Sequence, residues 1–148
     1  MNAKRTYSYV LLRYRHDPVA GEFVNVGVVV HEPESGFLGV KVRHTTDRLW
    51  KFFPDIDTDI VKETLINIEM SINSSSYLWA RNPIEQPRDA RAIATKILPD
   101  DDSCFICAPA SGSGVTADPT ETLNKLYSRF VGRYDDRPRE QPGSELRT

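Results

Sequence analysis

The stretch Gly21-Glu22-Phe23-Val24-Asn25-Val26-Gly27-Val28 is where this chain is best equipped for recognition chemistry. Valines at alternate positions suit burial, and an amide and a glycine interrupt them. With Val24, Val26, Val28 and Val30 on one strand face, Glu22 shares their parity at the strand's mouth, and Asn25 and Gly27 fall opposite. A polar amide beside a glycine in mid-strand signals a close backbone approach, a bulge, or a partner seated there. Asn25 is then either a hydrogen-bonding recognition group over a glycine-floored patch, or a side chain that satisfies local backbone groups at a bulge. The same face carries Tyr7, Tyr9, Arg13, Arg15, Phe23, Lys41 and Arg43. Aromatics interleaved with cations on an open sheet can stack bases and hold phosphates, as single-stranded nucleic-acid binders do. The competing reading has the aromatics supporting a second layer while the cations fringe the sheet. The candidate binding set is Tyr9, Arg13, Glu22, Asn25, Gly27 and Arg43.

Other constellations carry less. Cys104 and Cys107 form a single CxxC with no second pair and no histidines at ligand spacing, which excludes a standard zinc site. Phe105 and Ile106 between them read as strand, where alternation puts the sulfurs on opposite faces, and the thiols read as small buried apolar groups. Ser111-Gly112-Ser113-Gly114 lacks the lysine of a P-loop and the spacing of a dinucleotide fingerprint. Asp100-Asp101-Asp102 reads as a solvated loop, since consecutive aspartates diverge. No spacing joins serine, cysteine and histidine into a triad; Glu22, Arg13 and His44 are the groups that would have to converge for a small enzyme. This reading assigns no catalytic residue, no metal and no cofactor.

The elements that must position these residues follow from periodicity and turn chemistry. Thr6 to Arg15 alternates as a strand, His16 to Gly21 is a turn, Glu22 to His31 is a second strand, Glu32 to Gly36 a second turn, and Phe37 to Arg43 a third strand. A short helix over Thr46–Phe53 stops at Pro54. A longer one, capped by Asp57 or Thr58, carries the stripe Ile60, Val61, Leu65, Ile68 and Ile72 and ends at Asn73–Ser76. Tyr77–Ala80 reads as either strand or loop, Pro83 and Pro87 frame a polar linker, Arg88–Leu98 is a helix or an extended segment, and Pro99–Asp102 is a loop. Ser103 to Ala108 is a strand, the Ser-Gly stretch flexible, and Asp118, Pro119 and Glu121 start a last helix that buries Leu123, Leu126, Tyr127, Phe130 and Val131. The fold class is α+β: an N-terminal three-stranded antiparallel meander extended by a later strand and packed against two or three helices.

The chain has 148 residues, 19 lysines and arginines against 21 aspartates and glutamates, and a net charge of −2, so no global field recruits nucleic acid or anionic membrane. Its length suits one domain over residues 1–134, with a disordered tail over 135–148 where apolar residues vanish. No apolar run approaches bilayer length, and the basic N-terminus is followed by alternating tyrosines rather than a signal region, so a cytoplasmic location is expected.

Tyr7-Ser8-Tyr9-Val10-Leu11-Leu12-Arg13-Tyr14, followed by Gly21-Glu22-Phe23-Val24-Asn25-Val26-Gly27-Val28-Val29, resembles the bacterial domain of unknown function numbered 3037. Ala117-Asp118-Pro119 with Leu123, Leu126, Tyr127 and Val131 looks like that family's closing helix. The resemblance spans most of residues 6–134. It implies no activity, cofactor or catalytic residue. It does imply an accessory or antitoxin-like role beside kinases that resemble the HipA toxin group. The expectation is therefore a non-enzymatic module that binds a partner protein through the Tyr9, Arg13 and Asn25 face. A single-stranded nucleic-acid binder on the same face and a small enzyme are the alternatives, and an exposed third-strand edge permits a homodimer.

Overall fold

The computed structural model describes residues 3–17, 19–81, 89–98 and 103–133. Strands β1 (Arg5–Arg15), β2 (Phe23–Glu32) and β3 (Phe37–Val42) are followed by helices α1 (Asp47–Phe52), α2 (Thr58–Arg81) and α3 (Ala90–Ile97), then β4 (Phe105–Thr116) and α4 (Pro119–Phe130). The strands form one antiparallel sheet in the order β3-β2-β1-β4, which gives the α+β architecture that the alternation and cap signals predict.

Helices cover both faces of this sheet. On one side, Val10, Leu12, Tyr14, Val24, Val26 and Val29 pack against Leu49 of α1, Leu65 and Ile72 of α2, and Ile93 of α3. On the other, Val28 and Val30 meet Leu123 of α4, with Tyr7, Tyr9 and Leu11 beside them. The valines of β2 thus do not share one face. Leu12 pairs with Gly27 and Arg13 with Asn25, so β2 carries an extra residue at Val26, a bulge that reverses the parity of every side chain beyond it. Val28, Val29 and Val30 are all fully buried because they alternate between two faces that are both covered by helices. Each contributes roughly 1.5–3 kcal/mol of apolar transfer free energy, and the run reads as a strand covered on both sides.

Two elements run longer than their sequence suggests. The serine-rich stretch after Asn73 does not end α2, which continues to Arg81. Its buried stripe is Val61, Leu65, Ile68 and Ile72, while Ile60 is 60% exposed, one position off the core-facing arc. The Ser111–Gly114 stretch is not a flexible linker; it lies in the second half of β4, paired with Tyr7 to Val10. Its glycines serve a close approach, because a Cβ at Gly112 would overlap the Tyr9 ring and one at Gly114 would lie 2.8 Å from the Tyr7 hydroxyl. Pro109 sits where β4 departs from regular pairing between Ser111 and Cys107, a place a residue without an N–H can occupy. The helix starts agree with their caps: Asp57 Oδ1 accepts from the Ile60 amide, Asp89 Oδ1 from Ala92 and Asp118 Oδ1 from Glu121. The expected tail over 135–148, the linker at Pro83 and Pro87 and the Asp100–Asp102 loop lie outside the described residues. No helix among the described residues is long and apolar enough to cross a membrane.

Candidate functional site

The bulge decides which side chains meet. By reversing parity at Val26 it aims Asn25 at the end of α4, where its Nδ2 donates to the Phe130 carbonyl at 3.1 Å. Arg43, just past the end of β3 and buried, donates from Nε to the Asn25 carbonyl at 2.9 Å and from Nη2 to the Val131 carbonyl at 2.5 Å. The amides of Val131 and Gly132 both return to the Tyr127 carbonyl. The last carbonyls of α4 therefore have donors, one of them a cation where the helix dipole favours positive charge. The local reading of Asn25 is satisfied, except that the acceptors lie on a distant helix.

Tyr9 joins the same neighbourhood, its ring stacked on Phe130 with centroids 5.9 Å apart. Arg13, opposite Asn25 in the ladder, lays its guanidinium 3.9 Å from the centre of the Phe23 ring. Its buried Nε finds no acceptor, and desolvation holds the guanidinium below its ordinary pKa. Two members of the expected set stand apart. Gly27 points the other way: a Cβ there would meet Leu12 and Val42 at 3.1–3.2 Å, in the layer under α2 and α3, so it floors no patch beside Asn25. Glu22 is exposed in the β1–β2 connection. His44 turns toward Glu69 of α2 at 3.5 Å, while Arg13 lies over Phe23, so the partners of His44 and Arg13 are different.

Around Asn25 and Arg43 opens a cleft of about 220 Å³, bounded by Phe23–Asn25 of β2, by Arg48 and Phe52 of α1, and by Arg129, Phe130, Val131 and Arg133 at the end of α4. Its lining holds four arginines (Arg43, Arg48, Arg129 and Arg133) and, among the described residues, no carboxylate. Arg48 lies 5.4 Å from the Phe52 ring centre and Arg129 4.8 Å from that of Phe130, repeating the Arg13–Phe23 arrangement at the same cleft. For Arg13 and Arg129, stacking occupies the face of the guanidinium and leaves the in-plane N–H edge for acceptors. What the arrangement offers chemically is concentrated positive charge with oriented donors, on a chain whose net charge is −2.

Sequence reasoning finds Arg13, Asn25, Arg43 and Tyr9, and misses Arg48, Arg129 and Arg133. One signal was available: Arg48 and Phe52 stand four apart on a helix, the spacing at which side chains meet. The return of α4 to Asn25 had none.

A second polar cluster is structural. Tyr14 and His16 Nδ1 are 2.7 Å apart, and His16 Nε2 is 2.9 Å from Asp55, with the imidazole stacked on Phe53. Burial first, then Cys104 and Asp55, push the Tyr14 phenol up to about 12, so it stays protonated and hydrogen-bonds rather than attacks. Cys104 and Cys107 are free thiols, and both pack against the same α2/α3-side core, not on opposite faces. Among the described residues no three His, Cys, Asp or Glu side chains converge as a metal site would require.

No curated protein and no solved structure matches the chain. Residues 9–131, which hold Tyr9, Arg13, Asn25, Arg43 and Arg129 between them, match the model described as "Protein of unknown function (DUF3037)", and the chain belongs to that family.

Proposed function

We propose that this protein is a non-catalytic binding module that docks a partner protein by an anionic group inserted into the arginine-lined cleft. The observation that carries the reading is the charge mismatch: among the described residues neither Arg13 nor Arg129 has an ion pair and no carboxylate lines the cavity. The need to hold α4 does not explain it, because Arg43 and Asn25 already serve the helix end. Aromatics with arginines, anchored in a small desolvated pocket, are the usual centre of a protein interface. The nucleic-acid alternative is weakened by occupancy. Tyr9 and Arg129 lie on Phe130, Arg13 lies on Phe23, and α4 covers the sheet face that bases would need for stacking. Kinases of the HipA-like class, which the family resemblance suggests, are the partners to try first.

The test is affinity capture of partners from cell extract by the full chain, beside the charge reversals Arg13→Glu and Arg129→Glu, at two salt concentrations. A partner held by the wild type, weakened by salt and lost from both variants is the expected result. An unchanged set of partners in both variants defeats the proposal. Binding of a single-stranded oligonucleotide that disappears in the same variants would replace it.

A further inference from the structure

We infer that the outer edge of β4 is an interface for a second copy of this chain, the two β4 strands pairing antiparallel over Ser111–Val115 about a two-fold axis at Ser113. A strand at the end of a sheet presents unpaired N–H and C=O groups. Folds that stay monomeric blunt such edges with short strands, lysine, proline, bulges or a cover. At one end of the sheet β3 is blunted: it has six residues, carries Lys41 and packs against both α2 and α4. The first half of β4 is blunted too. Pro109 brings no N–H, and pairing is irregular between Cys107 and Ser111. Ser103 Oγ donates to the Phe105 carbonyl at 2.8 Å, and Arg91 Nε to the Ala108 carbonyl at 3.1 Å. Ser111–Val115 has none of these devices. It pairs with β1 on one side, and no strand lies beyond it among the described residues. The irregular stretch bounds this open segment at one end. Thr116, buried and accepting from the Asp118 amide, bounds it at the other, which leaves Ser113 at its centre.

Charge and shape select a second copy as the occupant. From Phe105 to Ala117 the chain has no charged side chain. Two-fold pairing sets each residue near its own symmetry mate, so any charge beside the axis would be repelled, and this stretch brings none. Pairing about Ser113 sets Ser111 against Val115 and Gly112 against Gly114. Ser111, Ser113 and Val115 stand on the exposed face, and Val115, 61% exposed in the single chain, would gain Ser111 of the second copy as a neighbour. On the other face the Tyr9 and Tyr7 rings lie where side chains at Gly112 and Gly114 would stand, so aromatic rings back both edge glycines. The glycines are thereby already ordered as strand, and pairing costs little further backbone entropy. A hollow of about 380 Å³, whose lining includes Ser8, Asp89 and Ser111–Ser113, runs beside the segment and leaves room for a second chain. None of Ser111–Val115 lines the arginine-rich cleft, so this interface goes beyond the partner-binding reading and does not depend on it.

The experiment is sedimentation velocity of the full chain. Five paired residues make a small interface, so the wild type should pass from monomer to dimer between about 1 and 500 µM. Ser113 is exposed, so Ser113→Lys and Ser113→Glu alter the edge without entering the core, and circular dichroism checks that both fold. Each should weaken self-association more than about tenfold, because like charges meet at the axis, and an equimolar mixture of the two should regain a dimer. Amide hydrogen exchange on the wild type gives a readout free of mutation. Protection of Gly112–Val115 should rise with protein concentration, while that of Leu38–Val42 in β3 stays constant. A wild type that is monomeric throughout overturns the inference. So does a dimer that both variants retain, a mixture of the variants that stays monomeric, or edge amides whose protection ignores concentration. Capture of a different protein by a chain that remains monomeric, lost in Ser113→Lys, assigns the edge to a foreign strand and overturns it too. Arg129→Glu should leave the dimer intact; a dimer lost in that variant would lie at α4 instead.

Discussion

Two ends of the central strand pair treat arginine in opposite ways. At one end Arg5 of β1 meets Glu32 of β2, a fully buried carboxylate that also accepts from the Ser35 hydroxyl at 2.6 Å and the Ser35 amide at 2.9 Å. Burial pushes that carboxyl up, but the hydrogen bonds from Ser35 and Arg5 outweigh it and hold the pKa at about 2. At the other end, Arg13 and Arg43 meet aromatic faces and carbonyls, and no carboxylate lines the cleft among the described residues. Arg5 is matched by a buried acid, whereas Arg13 lies over an aromatic ring and its buried Nε has no acceptor among the described residues. The contrast teaches how to sort arginines in an unfamiliar fold. A cation closed by a buried acid belongs to the scaffold. One held by rings and neutral dipoles keeps its charge for something else.

Mutations at the two ends should therefore separate stability from binding. Glu32→Gln has the largest expected effect, about 3 kcal/mol of lost stability, because Arg5 and Ser35 lose a charged acceptor. Its pH signature sharpens the claim. The folded value of about 2 lies below the ordinary 4.5, so the contribution is complete above about 4.5 and disappears as pH falls toward 2. Urea unfolding across that range should show an acid limb in the wild type that Glu32→Gln flattens, with partner capture at neutral pH unchanged. Arg43→Met comes next, about 2 kcal/mol, since the Asn25 carbonyl of β2 and the Val131 carbonyl at the end of α4 lose their donor; hydrogen exchange in α4 should speed up more than in α2. Arg13→Met should cost no more than about 1 kcal/mol by chemical denaturation, the worth of one cation–π contact, while reducing capture. Arg129→Glu is the smallest on stability, within about 0.5 kcal/mol, and should abolish capture. If Arg129→Glu unfolds the protein, or Glu32→Gln abolishes capture, the comparison fails.

Much of the fold was legible and much of the site was not, for one physical reason. Alternation in Thr6–Arg15 and the turn chemistry around Gly21 and Gly36 define a meander whose registers are local. The caps at Asp57 and Asp118 are also local signals, and they locate their helices correctly. Tyr9, Arg13, Asn25 and Arg43 were found because strand parity groups them. Gly27 was grouped with them wrongly, since parity holds only until a bulge, and an extra residue in a run of valines leaves no mark on composition. Arg129 and Arg133 reach the cleft through the return of α4 across the sheet, more than a hundred residues after Asn25, and no spacing rule spans that distance; Arg48 comes from α1, whose docking beside β2 is equally a matter of tertiary packing. Glu32 was read as part of a turn; its pairing with Arg5 depends on strand register at the far end of β1.

The supernumerary residue at Val26 has one more implication. It makes β2 two half-strands facing opposite ways, the first serving the α2/α3 core and the second shared with α4. Excising that single valine would restore an uninterrupted ladder, and from there each side chain toward the N-terminal end of the strand would swap sides. Asn25 would be driven into hydrocarbon, Val24 would be pushed out toward the arginines, and the last helix would lose the hook that fastens it. One inserted residue thus works as a hinge in the pattern of side chains, and it is what allows a short, ordinary sheet to present a polar mouth at one end of an otherwise sealed interior.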